Sequence, residues 1–177
     1  MNLKQLIKKI DTLKNQIDKL RPLDPDLERQ IMQKLRFYWN FHSNSLEGNS
    51  LTLGETKVLL LHGLTASGKP LKDHLEITGH NEAILLLDEV VKEKRPLTET
   101  FIREMHKIIL KEPYYIPAIT PDGIPTQRQV KIGQYKTTPN YVLTKSGETF
   151  YFASPEETPA KMNDLMDWYK KFTGNIK

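Results

Sequence analysis

Apolar positions in the first twenty residues, Leu3, Leu6, Ile10, Leu13, Ile17 and Leu20, recur at alternating spacings of three and four. That spacing gathers them on one face of a helix and leaves lysines and aspartates on the other. The seam is too short for a free-standing coiled coil, so it is expected to pack on a neighbouring helix or across a homodimer. Arg21-Pro22 ends it. Asp24-Pro25 then reads as a side-chain cap followed by proline at the first helical position. Leu27, Ile31, Leu35, Tyr38 and His42 carry a helical stripe on to Glu47, where Gly48 supplies the left-handed stop. Thr52-Leu53-Gly54-Glu55 has capping-box spacing and opens a third helix through Leu61. A fourth is expected from about Leu71 to Lys94, and a fifth after Pro96, capped by Thr98, with Phe101, Ile102, Met105, Ile108 and Ile109 inward.

From Glu112 the pattern changes. Pro113, Pro117, Pro121 and Pro125, with Asp122-Gly123, predict a loop of extended and turn conformations. Gln134 to Leu143 and Thr149 to Phe152, around Lys145-Ser146-Gly147, read as a β-hairpin. Ser154-Pro155-Glu156-Glu157 opens a last helix, with acids near its positive end and Leu165, Met166, Trp168, Tyr169 and Phe172 on its apolar side. The expected fold is mainly α, with one hairpin before the last helix.

Composition narrows the function classes more than it names one. The 177 residues, 38% hydrophobic, suffice for one substantial core. A net charge of +4 permits nucleic acid as a partner, but 27% charged residues is ordinary for a soluble domain. The absence of cysteine excludes disulfides, thiolate metal sites and a cysteine nucleophile, and it fits a reducing compartment. With no membrane-length apolar run and no continuous apolar stretch at the N-terminus, a cytoplasmic protein is expected. His74 and His80, six apart, do not share a helical face well and no acidic or cysteine partner completes a site, so no metal site is expected. Gly63-Leu64-Thr65-Ala66-Ser67-Gly68-Lys69-Pro70 matches a phosphate-binding loop except at its last position. There Pro70 replaces the hydroxyl that would hold Mg²⁺, and the residues before it follow a capped helix, so it reads as a connecting loop.

Two stretches carry more specific chemistry. Ser43-Asn44-Ser45-Leu46-Glu47-Gly48 sets a hydroxyl residue, three spacers, glutamate and glycine in order, and Asn49-Ser50-Leu51-Thr52 extends it. Further on stands Gly133-Gln134-Tyr135-Lys136-Thr137-Thr138. In these motifs and their order the chain resembles the Fic family of protein AMP transferases over about Phe37 to Phe172. Asn81, Glu82 and His106 fall where that family has similar residues.

The resemblance implies a helical extension over residues 1–36 and a partial Fic-like domain over 37–177. Within it would lie an inhibitory helix at 37–48, helices over 52–110, a flap hairpin at 133–153 and a last helix at 155–172. It implies that Glu47 is a brake, pairing with the arginine of the family's catalytic loop as carboxylate to guanidinium. Ser43 would steady the helix end or hydrogen-bond Glu47, Gly48 would let the backbone approach the nucleotide, and Asn49 would lie near it. The flap, about Tyr135 to Tyr141 and including Lys136, Thr137 and Thr138, would add a strand to an extended target segment. Lys136 stands where arginine is common, keeping the charge but not the planar fork. ATP and Mg²⁺ are implied for the complete enzyme, with a protein hydroxyl as acceptor. The family's His-Pro-Phe-x-x-Gly-Asn-Gly-Arg loop has no counterpart here; Phe172-Thr173-Gly174-Asn175 matches only its middle. The expectation is therefore the regulatory and flap portion of an AMP transferase, with no catalytic residue in this chain and no activity in isolation. A second reading is a stand-alone module that inserts Glu47 into a separate Fic enzyme. A third, a basic helical nucleic-acid binder, rests on charge alone.

Overall fold

The computed structural model describes residues 2–120 and 122–173; the expectations that fall on Pro121 and on Gly174-Asn175 lie outside them. The chain divides into two compact units, Met1–Trp39 and Asn40–Lys177.

In the first unit, α1 spans Leu3–Asp18. Asn2 and Gln5 close a reciprocal cap, each side chain accepting the other's backbone N–H at 3.0 Å. No residue of α1 is buried, and its apolar seam stays open, from Leu6 at 42% exposed to Leu3 at 71%. Helix α2 spans Pro25–Leu46 and ends in the second unit. Asp24 Oδ1 accepts the N–H groups of Asp26 and Leu27 at 3.0 Å, the role its place before proline predicts.

The second unit holds α3 (Leu53–His62), α4 (Leu71–Lys92), α5 (Glu99–Leu110) and α6 (Thr158–Thr173). Helix α4 packs on α3 and α5, and α5 on α6. Leu51, Leu59 and Ile77 form the buried core beside Leu60, just behind the α2–α3 junction. Burying such side chains stabilises by about 1.5–3 kcal/mol each, enough to fix that junction. Helices α4 and α5 touch at Gly79, where an added Cβ would lie 2.4 Å from the Ile109 carbonyl oxygen. Only glycine permits that approach.

The mainly helical class holds, but with two hairpins among the described residues instead of one. The stretch read as a loop contains β1 (Tyr114–Ile119) and β2 (Pro125–Val130), antiparallel and paired from Tyr114↔Val130 to Ile119↔Pro125. Prolines misled the reading because each strand of a two-stranded ribbon has a free edge, where a missing N–H costs no ladder bond. Gly123 turns the chain at φ +80°, with its N–H bonded to the Thr120 carbonyl at 2.9 Å.

The second hairpin is β3 (Tyr141–Leu143) with β4 (Thr149–Tyr151), paired Tyr141↔Tyr151, Val142↔Phe150 and Leu143↔Thr149. Its first strand starts at Tyr141, not at Gln134. Residues 134–140 are bends and irregular backbone, because Gly133 adopts φ +63° and Pro139 has no N–H to give a ladder. Ser154 and Glu157 cap each other reciprocally, at 2.9 and 3.2 Å, one turn before α6 becomes continuous at Thr158.

Candidate functional site

Helix α2 stops in a tight set of backbone bonds. The Asn44 carbonyl accepts from Glu47 N–H at 3.1 Å and Asn49 N–H at 3.0 Å, and Gly48 N–H donates to Ser45 at 3.1 Å. Gly48 holds φ +92° with nothing within 4 Å of the place a Cβ would occupy, so conformation alone demands glycine there.

The residues on either side of Glu47 are firmly held. Asn40 is fully buried; its Oδ1 faces His80 Nδ1 at 2.9 Å and its amide nitrogen lies 3.4 Å from Asn81 Oδ1. Asn44, also buried, donates to the Asn40 carbonyl at 2.8 Å. Asn49 Nδ2 donates to the Asp73 carbonyl at 2.9 Å and to Glu76 Oε2 at 3.0 Å, while its Oδ1 accepts Leu51 N–H at 3.0 Å. Both the backbone N–H and the hydroxyl of Ser50 donate to Asp73 Oδ2, and Lys69 Nζ donates to the Ser50 carbonyl at 2.7 Å. Burial raises the Asp73 carboxyl, but the two Ser50 hydrogen bonds outweigh it and hold the pKa below the ordinary value.

Amid this network the Glu47 side chain is exposed and makes no hydrogen bond or ion pair among the described residues. Half-buried Ser43, four residues earlier, is not hydrogen-bonded to it. Leu46 beside it is 87% exposed. The Asn49 amide is spent on the junction, which makes Asn49 a positioning residue in this arrangement.

Lys69 likewise braces the junction, and Gly63 is the left-handed cap of a helix, φ +68°. His74 ties the connecting loop down: its Nε2 accepts Ala66 N–H and its Nδ1 donates to the Pro70 carbonyl, each at 2.9 Å.

The second motif docks on α5. Gly133 N–H donates to His106 Nδ1 at 2.8 Å, and Arg103 Nε donates to the Gly133 carbonyl at 3.0 Å. The Arg103 guanidinium lies over the Tyr135 ring, 5.4 Å from its centroid. The Tyr135 hydroxyl is buried beside Glu99, yet outside hydrogen-bonding geometry. Burial first, then that carboxylate, pushes its pKa up. Lys107 methylenes cross Gly133 so closely that a Cβ would sit 2.3 Å from Cε. Lys136 is half-buried, Thr137 and Thr138 are exposed, and Tyr141 alone of the predicted flap residues lies in a strand. Arg128 on β2 joins the segment by donating from Nη1 to Asn140 Oδ1 at 2.7 Å and Thr138 Oγ1 at 3.2 Å.

The structure thus leaves the Glu47 end of α2 and the 133–141 segment as separate features, each anchored by its own bonds. Sequence reasoning missed Asp73, Glu76, Arg103 and Arg128. Arg103, His106 and Lys107, spaced three and four apart, were the one legible signal, since that spacing puts them on one face of α5.

No protein-family model matches the chain. A Fic domain-containing signaling protein from Bacteroides thetaiotaomicron superposes with TM-score 0.79 at 40% identity, covering 95% of this chain and 59% of that one. The chain belongs to the Fic family. Fic-1 (aa134–508) from Caenorhabditis elegans superposes with TM-score 0.71 at 25% identity, covering 98% of this Fic chain and 45% of that one. The curated protein adenylyltransferase fic-1 of C. elegans is 28% identical over 142 residues, 79% of this chain. The chain spans 24% of that relative's length, and 30% of its Caenorhabditis briggsae counterpart.

Proposed function

We propose that this Fic chain supplies the regulatory and target-docking part of a protein AMP transferase, with Glu47 as its brake. The reaction would carry AMP from ATP to a Ser, Thr or Tyr hydroxyl of another protein. The observation that supports the brake is the contrast at the end of α2. Asn44, Asn49 and Ser50 are each tied down by hydrogen bonds, while the Glu47 carboxylate between them is exposed and unpaired. A carboxylate held out on a fixed helix end is suited to receive a guanidinium in a bidentate pair. An arginine so captured is withdrawn from the phosphates it would otherwise grip. Gly48 keeps the surface beside it bare, since nothing lies within 4 Å of its missing Cβ.

ATP would supply the AMP group, with Mg²⁺ neutralising its phosphates. No group of three or more His, Asp or Glu among the described residues could hold a metal. The described residues do not fit that ion by themselves. The catalytic loop that Glu47 would oppose is proposed to come from outside residues 1–177, in cis or in trans. For the target, the outward Tyr141, Val142, Phe150 and Tyr151 of the β3–β4 ribbon support an extended protein segment as the partner. The open seam on α1 supports self-association through that helix. Cytoplasmic residence belongs to the same proposal, supported by the lack of cysteine. No helix among the described residues is long and apolar enough to cross a membrane.

The test is transfer of label from α-labelled ATP to protein acceptors by the full-length protein, comparing wild type with Glu47→Gly and Glu47→Gln. Both variants should raise transfer; unchanged or lower transfer rejects the brake. In the trans-acting reading, chain 1–177 added to a separate Fic enzyme should lower its activity only while Glu47 is present. The β3–β4 ribbon favours the first reading, because a bare inhibitor has no use for a target surface.

A further inference from the structure

A cavity of about 270 Å³ opens between α5, the end of β2 and the turn after Gly133. Arg128, Lys131, Lys136 and His106 line it with Thr137 and Thr138, and no aspartate or glutamate does. We propose that this cavity binds a phosphate dianion.

Elsewhere this chain pairs its lysines readily, as in Lys14–Asp18, Lys92–Asp88 and Lys111–Glu82. Arg128, Lys131 and Lys136 make no ion pair among the described residues, although they share one cavity. Glu157 is near enough for Lys136 to help lower its pKa, but it caps the turn before α6 and stays outside the lining. Like charges gathered in a partly enclosed space repel one another unless an anion joins them.

The donors are also aimed. Arg128 is fixed through Nη1 on the neutral acceptors Asn140 and Thr138, which leaves Nε and Nη2 for a forked contact. His106 Nδ1 accepts the Gly133 N–H, so its proton sits on Nε2, which becomes a donor. Three cations match a phosphate dianion better than a single carboxylate, and the flanking threonine hydroxyls suit tetrahedral oxygens. The volume falls below the roughly 300–1,000 Å³ of sites for drug-sized ligands, which suits the phosphate end of a larger carrier. Through the Arg128, Thr138 and Asn140 wall the cavity adjoins a wider apolar cleft of about 730 Å³ that includes Tyr141, Val142 and Phe152. The carrier is thus a phosphorylated side chain on an extended segment, or a free or nucleotide phosphate.

The experiment is an NMR titration of ¹⁵N-labelled chain 1–177 at constant ionic strength, following the amides of Gly133, Thr137 and Thr138. Three ligands are compared: inorganic phosphate, AMP, and a phosphoserine peptide with an adjacent aromatic residue beside its unphosphorylated form. A saturable shift is expected, weakened roughly tenfold by Lys131→Met, which removes one charge-assisted contact from an exposed position. Arg128→Lys, which keeps the charge but loses the fork, should weaken it too. Tighter binding of the phosphopeptide assigns the carrier to a protein side chain, and tighter binding of AMP assigns it to a nucleotide. Equal binding of all three leaves phosphate itself as the ligand. No saturable shift with any ligand, or a shift that both variants leave unchanged, overturns the proposal.

Discussion

Gly133 and Gly48 both hold positive φ, at +63° and +92°, but only Gly133 is crowded. Substituting alanine at each separates the cost of backbone conformation from the cost of displacing the neighbour that clasps the 133 turn. A side chain in the left-handed region costs about 1–2 kcal/mol. At Gly48 that is the whole expected penalty, because a new Cβ meets nothing within 4 Å. At Gly133 the Cβ would lie 2.3, 2.4 and 2.8 Å from Lys107 Cε, Cγ and Cδ, so the lysine must swing away. Forcing it from a good rotamer adds about 0.5–1.5 kcal/mol. Gly133→Ala should therefore cost about 1.5–3.5 kcal/mol and Gly48→Ala about 1–2 kcal/mol. Lys107→Ala, at an exposed position, should change stability by about 0.5 kcal/mol or less on its own. In the Gly133→Ala background it should restore the crowding part, a coupling of about 0.5–1.5 kcal/mol. Urea denaturation of the four proteins, with unchanged slopes, gives the comparison. If Gly133→Ala costs no more than Gly48→Ala, or Lys107→Ala fails to relieve it, Lys107 is not the clasp of the 133 turn.

Asp73→Ala leaves the Ser50 amide and hydroxyl without their acceptor and should cost about 2–4 kcal/mol in the same assay; a loss under half a kilocalorie would show that water replaces the carboxylate freely. Gly79→Ala pushes a Cβ against the carbonyl oxygens of Ile108 and Ile109, at 2.6 and 2.4 Å, which cannot rotate away. Its overpacking cost of about 1–3 kcal/mol should outweigh the roughly 1 kcal/mol that alanine gains in a helix, so the melting temperature falls. Burial holds His80 below its ordinary pKa of 6.5, so the unfolded chain takes up that proton first. Stability should be unaffected by His80 above pH 6.5 and decline below it, by at most about 1.4 kcal/mol per pH unit, until the folded-state pKa is passed. His80→Gln should flatten that part of the curve; an identical slope would exclude the group. Asp73 has the same sign in a more acidic window, its contribution being full above its ordinary 3.8 and lost as pH falls through the lowered folded value. Asp73→Asn should therefore remove part of the acid-side decline while His80→Gln leaves it in place.

Most helix starts were legible because their chemistry is local. Asp24, Thr52 and Thr98 each bond an amide within the next three residues, so a short window holds cap and partner alike. The β1–β2 ribbon was not legible for the converse reason. Its prolines read as loop markers, and only the pairing of Tyr114 with Val130, across sixteen positions, shows that they lie on tolerant edges. The flap start was misplaced on similar grounds. Residues after Gly133 have strand composition, but their backbone follows the docking on Arg103 and His106, some thirty positions earlier.

The candidate site divides along the same line. Glu47 and Gly48 could be singled out from six consecutive residues, since a glutamate before a helix-ending glycine is a local arrangement. Why that helix end stays fixed could not be read, because Asp73 and Glu76 lie 23 to 27 positions from the residues they hold. The proposed brake would depend on both parts. A glutamate on a frayed end would spend conformational entropy before it could pair with an arginine, whereas here Asn49 and Ser50 have fixed the backbone beforehand. Releasing the junction while keeping the carboxylate should therefore weaken the brake as well. Asp73→Ala in the full-length protein is expected to raise AMP transfer in the same direction as Glu47→Gly but by less, because the carboxylate is still present. If Asp73→Ala leaves transfer unchanged while lowering stability, the junction serves the fold alone, and Glu47 acts without being held in place.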